Sequence, residues 1–416
     1  MNSLDNTIAD SKNGLLKDSL PDDWPATLGA AAAAYGIGML SLLVLPFLIG
    51  ATMSSLGLSG SQAGWLGSAE LLSVTLGSFI VAPWIGRLPR RTLAMSGAAL
   101  AIAANLVSMT SLSYELLMLC RAIAGLGCGL ALAAGNATVA CSKNPEKMAA
   151  HMSIFFVVIM VALMMIFARV GDMYGYQGSY GALAATIAVV SLLLLGLPQH
   201  PSAAVHAEAA AGTNNKQLFS LAGIVMMLAM FCFQMRDTMS WAFVERIGAG
   251  VGYSSAEVGN LLSLQAVLGL LGPVIATLMG SRFGLKMPVI IGILGSGLVT
   301  VMVLLSTDSV ALYTATVSLI SISYFYSLAY LTSLAAELDK DGRIVAASGG
   351  LLIAGSAVAP VLSGYILDAG GYVLMGWVAA GVVGLTLLCA LIALGTLNSR
   401  TLNNSALNNS AFNKMD

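Results

Sequence analysis

The chain has 416 residues, 58% hydrophobic and only 9% charged, with a mean hydropathy of +0.88. A soluble protein of this length needs far more charge to cover its surface, so a water-soluble globular protein is excluded and a polytopic membrane protein is indicated. The net charge of −1 says little, because the placement of charge matters more than its sum.

Residues 1–27 form a polar tail without the basic start, short apolar core and cleavage site of a signal peptide. Apolar runs follow at about 28–51, 60–83, 92–112, 114–140, 149–169, 178–197, 218–245, 254–280, 287–306, 309–336, 343–367 and 371–396. Each approaches the roughly 20 residues that a helix needs to cross hydrocarbon. Backbone groups in lipid must pair within their own segment, so these twelve runs predict an all-α membrane protein. The longest internal polar break, 198–217, divides it into a six-helix bundle at 28–197 and another at 218–396, with a polar tail at 397–416.

Lys and Arg set the expected orientation. With both termini cytoplasmic, Arg169 and Arg246 fall outside, Arg121 and Arg236 fall within spans, and all the other Lys and Arg residues lie inside. This is the pattern of the positive-inside rule and places 198–217 in the cytoplasm. The expected location is the cell membrane.

The halves repeat. Ser59–Arg91 resembles Ser254–Lys286 at an offset of 195, with Ser59, Gly64, Ser68, Gly77 and Arg87 falling on Ser254, Gly259, Ser263, Gly272 and Arg282. Asp172, Gly175 and Tyr176 fall on Asp368, Gly371 and Tyr372 at an offset of 196. Six helices per copy is an even number, so the repeats are parallel. Glu70 falls on Gln265, so one copy alone holds this acid.

These features resemble the major facilitator superfamily. That family has a G-x-x-x-D-R-x-G-R-R loop between helices 2 and 3. Here the loop keeps Arg87, Arg90 and Arg91 but has Gly86 for the Asp and Pro89 for the second Gly. The second copy keeps Arg282, Gly284 and Lys286, with Ser281 at the Asp position. Arg121, Gly125 and Gly127 match the helix 4 pattern R-x-x-x-G-x-G. The resemblance implies a secondary transporter working by alternating access, with helices 1, 4, 7 and 10 lining a central cavity and the two loops acting as inner gates. The helix 5 pattern of drug antiporters is absent, and a similar Gly355–Gly364 string sits on helix 11, which leans toward uptake.

Charged groups at membrane depth cost about 2.5–3.5 kcal/mol each on insertion scales and normally face a cavity or a partner. Glu70, near mid-membrane, is a candidate proton-coupling carboxylate, with Ser68 or Ser73 as hydrogen-bond partners in the structural alternative. Asp237 is the second such candidate. Arg121 and Asp237, at similar depth on cavity helices, are expected to pair as a gate or to hold an ionised substrate. The alternative is a static pair that fixes packing. Arg236, Tyr326, Tyr330, Gln234, Trp241, Tyr35 and Asn136 complete the candidate substrate and gate residues. This lining suits a small organic solute with an aromatic or amphipathic body and an anionic group facing Arg121 or Arg236.

Five cysteines without CxxC spacing read as small packing residues, and the three isolated histidines suggest no metal site. No cofactor and no nucleic-acid partner is expected. The partners expected are a small-molecule substrate, protons and the bilayer, for a monomeric symporter. The rival readings are a proton-driven drug or metabolite exporter of the same fold, an intramembrane enzyme, and a transport-dead sensor. No span interior carries a His beside a nucleophile or acid, which weighs against an enzyme.

Overall fold

The computed structural model describes residues 23–199, 219–280, 282, 284–339 and 342–412, with side chains through residue 397. Most of the central loop, the start of the N-terminal tail, Ser281 and the expected cytoplasmic Lys12, Lys17, Lys216, Lys340 and Lys414 lie outside the described residues.

Helix α1 is broken. It runs through Trp24–Ala31, a π-helical stretch Ala32–Gly38, then Leu40–Leu43 and Leu45–Leu56. Pro46 lacks the N–H that would continue the ladder, which accounts for the last break. Next come α2 (Gly60–Val81), α3 (Arg90–Thr110) and α4 (Tyr114–Ala140). The helix Pro145–Ser191 has 47 residues, about 70 Å at 1.5 Å per residue, too long for one straight crossing. It folds back at Gly175 (φ 59°, ψ −150°), which separates α5 (145–174) from α6 (176–191). In the second half, α7 is Leu221–Gly250, and α8 is interrupted, Ser255–Leu268 then Leu271–Met279. Helices α9 (Lys286–Leu304) and α10 (Val310–Leu338) follow. The final helical run from Arg343 bends at Gly370 and Gly371 (φ 68°, ψ −167°), giving α11 (343–369) and α12 (372–412). The described residues thus form twelve helices, as the hydropathy predicts.

The repeat is visible in local chemistry. Ser59 and Ser254, 195 residues apart, each cap their helix in a reciprocal capping box, with Gln62 and Glu257. Ser113 and Ser309, 196 apart, cap α4 and α10 by accepting the N–H of Leu116 and of Leu312. Gly175 and Gly371, also 196 apart, are the two reversals, each in a positive-φ conformation that side chains disfavour.

The start of α1 and the end of α12 lie on one face of the bundle, the terminal face, because each half crosses six times. Large apolar side chains such as Ile154 (64% exposed), Leu298 (60%) and Trp377 (70%) point outward, as a lipid-facing surface requires.

The halves are sealed against each other from mid-depth to the face opposite the termini. The Asp368 carboxylate, at the end of α11, accepts the N–H groups of Gly60 (2.8 Å) and Ser61 (2.9 Å) in the first turn of α2. An anion there meets the positive end of the helix dipole. Deeper in the same seam, Trp65 Nε1 donates to the Tyr365 hydroxyl (3.1 Å), and Val361 N–H donates to Ser68 Oγ (3.0 Å). Gly64 permits this approach, since a Cβ there would overlap the carbonyl oxygen of Pro360. Trp241 Nε1 donates to Leu42 O (2.8 Å), Arg246 to Ser54 Oγ (2.7 Å) and Ser263 Oγ to Val161 O (3.2 Å).

Candidate functional site: the cavity between the halves

Below this seal, toward the terminal face, a cavity of about 400 Å³ lies between the two halves. It contains Tyr35 and Met39 of α1, Phe156 of α5, Gln234, Asp237 and Trp241 of α7, Gln265 of α8 and Tyr324 and Phe325 of α10. The size and the mix of aromatic walls with few polar groups suit a small organic ligand. Tyr35 and Phe156 meet edge to face across the first half, with ring centroids 5.1 Å apart, and Phe156 meets Phe325 of the second half at 6.4 Å.

Asp237 is the one acid among the described residues of this lining, and its carboxylate oxygens accept no hydrogen bond from the described residues. Gln234 is occupied: the Tyr324 hydroxyl donates to its Oε1 (2.7 Å), and its Nε2 donates to Thr238 Oγ1 (3.2 Å). Gln265 donates through Nε2 to Ser321 Oγ, while its Oε1 accepts nothing among the described residues.

The expected pairing of Arg121 with Asp237 is not formed. Arg121 pairs with Glu70 inside the first bundle. Its Nη1 donates to both carboxylate oxygens at 3.1 Å, and its Nη2 donates to Asn105 Oδ1 and Ser108 Oγ, both at 2.8 Å. Ser41 Oγ donates to Glu70 Oε1 at 2.7 Å, and the Tyr180 ring lies under the guanidinium at 4.1 Å. Five helices, α1, α2, α3, α4 and α6, thus meet at one ion pair, with Arg121 1% and Glu70 2% exposed. Gly125, one turn after Arg121, brings α4 close to α2, because a Cβ there would overlap the Glu70 carbonyl oxygen. The expected partners Ser68 and Ser73 do not hold Glu70. Ser68 serves the seam with α11 instead.

Arg236 also turns away from the cavity. It is fully buried and donates to Thr300 Oγ1 and Ser296 Oγ of α9, both at 2.6 Å, with its guanidinium 4.8 Å from the Phe233 ring centroid. Consecutive helix residues point about 100° apart, so Asp237 faces the cavity while Arg236 faces α9. An anionic substrate group held by Arg121 or Arg236 is therefore not what the geometry offers.

The face of α10 also differs from expectation. Tyr326 and Tyr330 pack away from the cavity, against the second segment of α8. The Tyr326 hydroxyl meets Met279 Sδ (3.6 Å), and that of Tyr330 donates to the carbonyls of Ala276 (3.2 Å) and Gly280 (3.3 Å). Tyr324 and Phe325 take their place, roughly half a helical turn away. Asn136 lies in a separate cavity of about 390 Å³ near the terminal face, beside Phe79 and Gly350.

The two basic loops expected to act as inner gates differ. Arg90 is buried and donates to Cys141 Sγ (2.8 Å), and Arg91 Nε donates to Leu197 O (3.0 Å), so both tie helices within the first half. Arg90 also borders a cavity of about 760 Å³, which lies within the first half at the terminal face and away from Asp237. Arg87, Arg282, Gly284 and Lys286 are exposed.

A bundle of two repeated six-helix halves around a central cavity is the architecture of a membrane transporter. The sequence profile of the Major Facilitator Superfamily matches residues 26–224 and 226–411, and the chain belongs to that family of transporters. None of the curated proteins matches the chain by sequence. Among solved structures, a variant of the nucleoside transporter NupG superposes with a TM-score of 0.71 at 14% identity, covering 89% of this chain and 99% of that one. A D-xylose-proton symporter gives 0.66 at 16% identity, covering 89% and 95%. A bacterial homologue of the human lysosomal transporter Spinster, in an inward-facing and unoccupied conformation, gives 0.69 at 14% identity, covering 89% and 94%. At these identities the likeness is one of fold.

Proposed function

We propose that this protein is a proton-coupled secondary transporter for a small organic solute, with Asp237 as the carboxylate that exchanges protons. The observation that carries this reading is Asp237 itself, a cavity-facing acid at mid-depth whose oxygens no described side chain engages. Glu70, the other candidate, is committed to Arg121 and Ser41 and has no face on the cavity. The bias of Lys and Arg supports a cytoplasmic terminal face. On that orientation the state described is sealed outside and its cavity lies on the cytoplasmic side of the seal. Alternating access then requires the α2–α11 and α5–α8 seams to part as the cytoplasmic ends close. The structures of a proton symporter and a nucleoside transporter on the same fold are consistent with this solute class.

The test is reconstitution into liposomes loaded with a pH-sensitive dye, with a panel of organic acids, sugars, nucleosides and amines added outside. A solute that moves protons through wild type and not through Asp237→Asn supports the reading. Solute-driven proton movement that survives Asp237→Asn refutes it.

A further inference from the structure

We infer that the solute is an organic cation, an amine or ammonium group on an aromatic or apolar body, and that it competes with the proton for Asp237. This rests on the reading of Asp237 as the proton-exchanging carboxylate and adds the chemistry of the ligand. The direction of coupling follows from it.

The cavity keeps strong acceptors that nothing among the described residues engages. Asp237 offers both carboxylate oxygens, and Gln265, 1% exposed, offers an Oε1 that accepts nothing among the described residues. Several donors are already committed. Trp241 N–H goes to Leu42 O, Tyr324 O–H to Gln234 and Gln265 N–H to Ser321. The hydroxyls of Tyr35, Thr238 and Ser321 can still donate, but each can equally accept, and the amides of Gln234 and Gln265 each keep one N–H. A ligand that satisfies such a site brings donors, because a buried acceptor left unpaired costs binding energy.

Charge points the same way. The described residues lining the cavity include no Lys, Arg or His, and the titratable groups facing Asp237 are the phenols of Tyr35 and Tyr324. The nearest cation, Arg236, sits behind Asp237 on the α9 side and spends its Nη atoms on Thr300 and Ser296. It offsets the Asp237 charge through space while leaving the carboxylate oxygens free. The walls are aromatic, and the faces of Tyr, Trp and Phe attract cations.

A proton and a cation cannot occupy one carboxylate together. Binding the cation releases the proton to the side from which the cation came, and reprotonation on the other side expels the cation there. Sharing one site therefore gives exchange. In a membrane that holds protons outside, exchange moves the cation outward, so the uptake expected from the sequence gives way to export.

The experiment uses the full chain in nanodiscs and three probes with one aromatic body: 2-phenylethylammonium, 2-phenylethanol and phenylacetate. Binding to wild type, Asp237→Asn, Gln265→Leu and Tyr326→Phe is measured over a range of pH. The expected result is that wild type prefers the ammonium probe by at least about tenfold. Its affinity falls about tenfold per pH unit once the carboxylate is protonated. Asp237→Asn abolishes the preference, Gln265→Leu weakens it and Tyr326→Phe, outside the cavity, leaves it unchanged. Preference for the alcohol or the acid, unchanged ammonium binding in Asp237→Asn, or binding of none at millimolar concentration overturns the inference. Dye-loaded liposomes separate the two readings. If a neutral or anionic solute moves protons and needs Asp237, the cation class falls while the proton role of Asp237 stands. If protons move without Asp237, both fall.

Discussion

Arg121 holds both oxygens of Glu70 at 3.1 Å in the centre of the first bundle, while Arg236, in the second bundle, donates its hydrogen bonds to two hydroxyls and to no carboxylate among the described residues. The repeat relates these clusters. At the offset of 195, Ser41, Glu70, Asn105 and Arg121 fall on Arg236, Gln265, Thr300 and Thr316. In the first half a complete ion pair closes the polar core. In the second half the arginine has moved from the fourth helix to the first, and the acid beside it, Asp237, faces the cavity. The halves share a scaffold but place their charged groups differently, a buried pair in the first and a cavity-facing acid in the second.

Arg121→Met leaves the Glu70 charge buried and unpaired, and should destabilise the protein by about 3–5 kcal/mol. The double variant Glu70→Leu/Arg121→Met removes both charges and should recover most of that loss. Thermal unfolding in detergent, followed by tryptophan fluorescence, checks both expectations. A double variant as unstable as the single one would contradict a paired, static role.

Asp368→Asn should loosen the face opposite the termini. Charged acceptors contribute about 1.5–3 kcal/mol per hydrogen bond, and Asp368 accepts two from α2. Spin labels at Ser113 and Asp308, exposed on that face in different halves, should report a larger share of separated distances than in wild type. An unchanged distance distribution would rule out Asp368 as a latch.

Gly64→Val should act on the same seam more forcefully, because its side chain would occupy the space of the Pro360 carbonyl. The variant should fold, and the same labels should show the sealed state depleted. Substitution of Gly57, which has positive φ but no neighbour within 4 Å of a built Cβ, should leave the distribution as in wild type.

Tyr324→Phe should lower solute affinity by roughly tenfold, since it frees Gln234 and changes the cavity wall. Tyr326→Phe and Tyr330→Phe should leave affinity within about twofold and cost about 1 kcal/mol of stability. KM and melting temperature, measured side by side, separate the two behaviours.

Much of this fold is legible in the sequence. Hydropathy marks twelve spans, and the landmarks at offsets of 195 and 196 prove to be capping boxes and helix reversals. Tyr35, Gln234 and Trp241 line the cavity between the halves. The face of α10 was not legible, because a membrane helix is apolar all round and a stripe of tyrosines can serve a neighbour as well as a cavity. The partner of Arg121 could have been read from depth. At 1.5 Å per residue, Arg121 lies about 10 Å into α4, Glu70 about 15 Å into α2 and Asp237 about 20 Å into α7, all from the face opposite the termini. Glu70 is the nearer match, and a long arginine side chain spans the remainder.

The most direct test compares solute-driven proton movement in dye-loaded liposomes for Asp237→Asn and for the double variant Glu70→Gln/Arg121→Gln. The account predicts that Asp237→Asn abolishes proton movement while the folded double variant retains it. Coupling that persists in Asp237→Asn and disappears in the double variant would place the proton site in the first bundle and contradict the account.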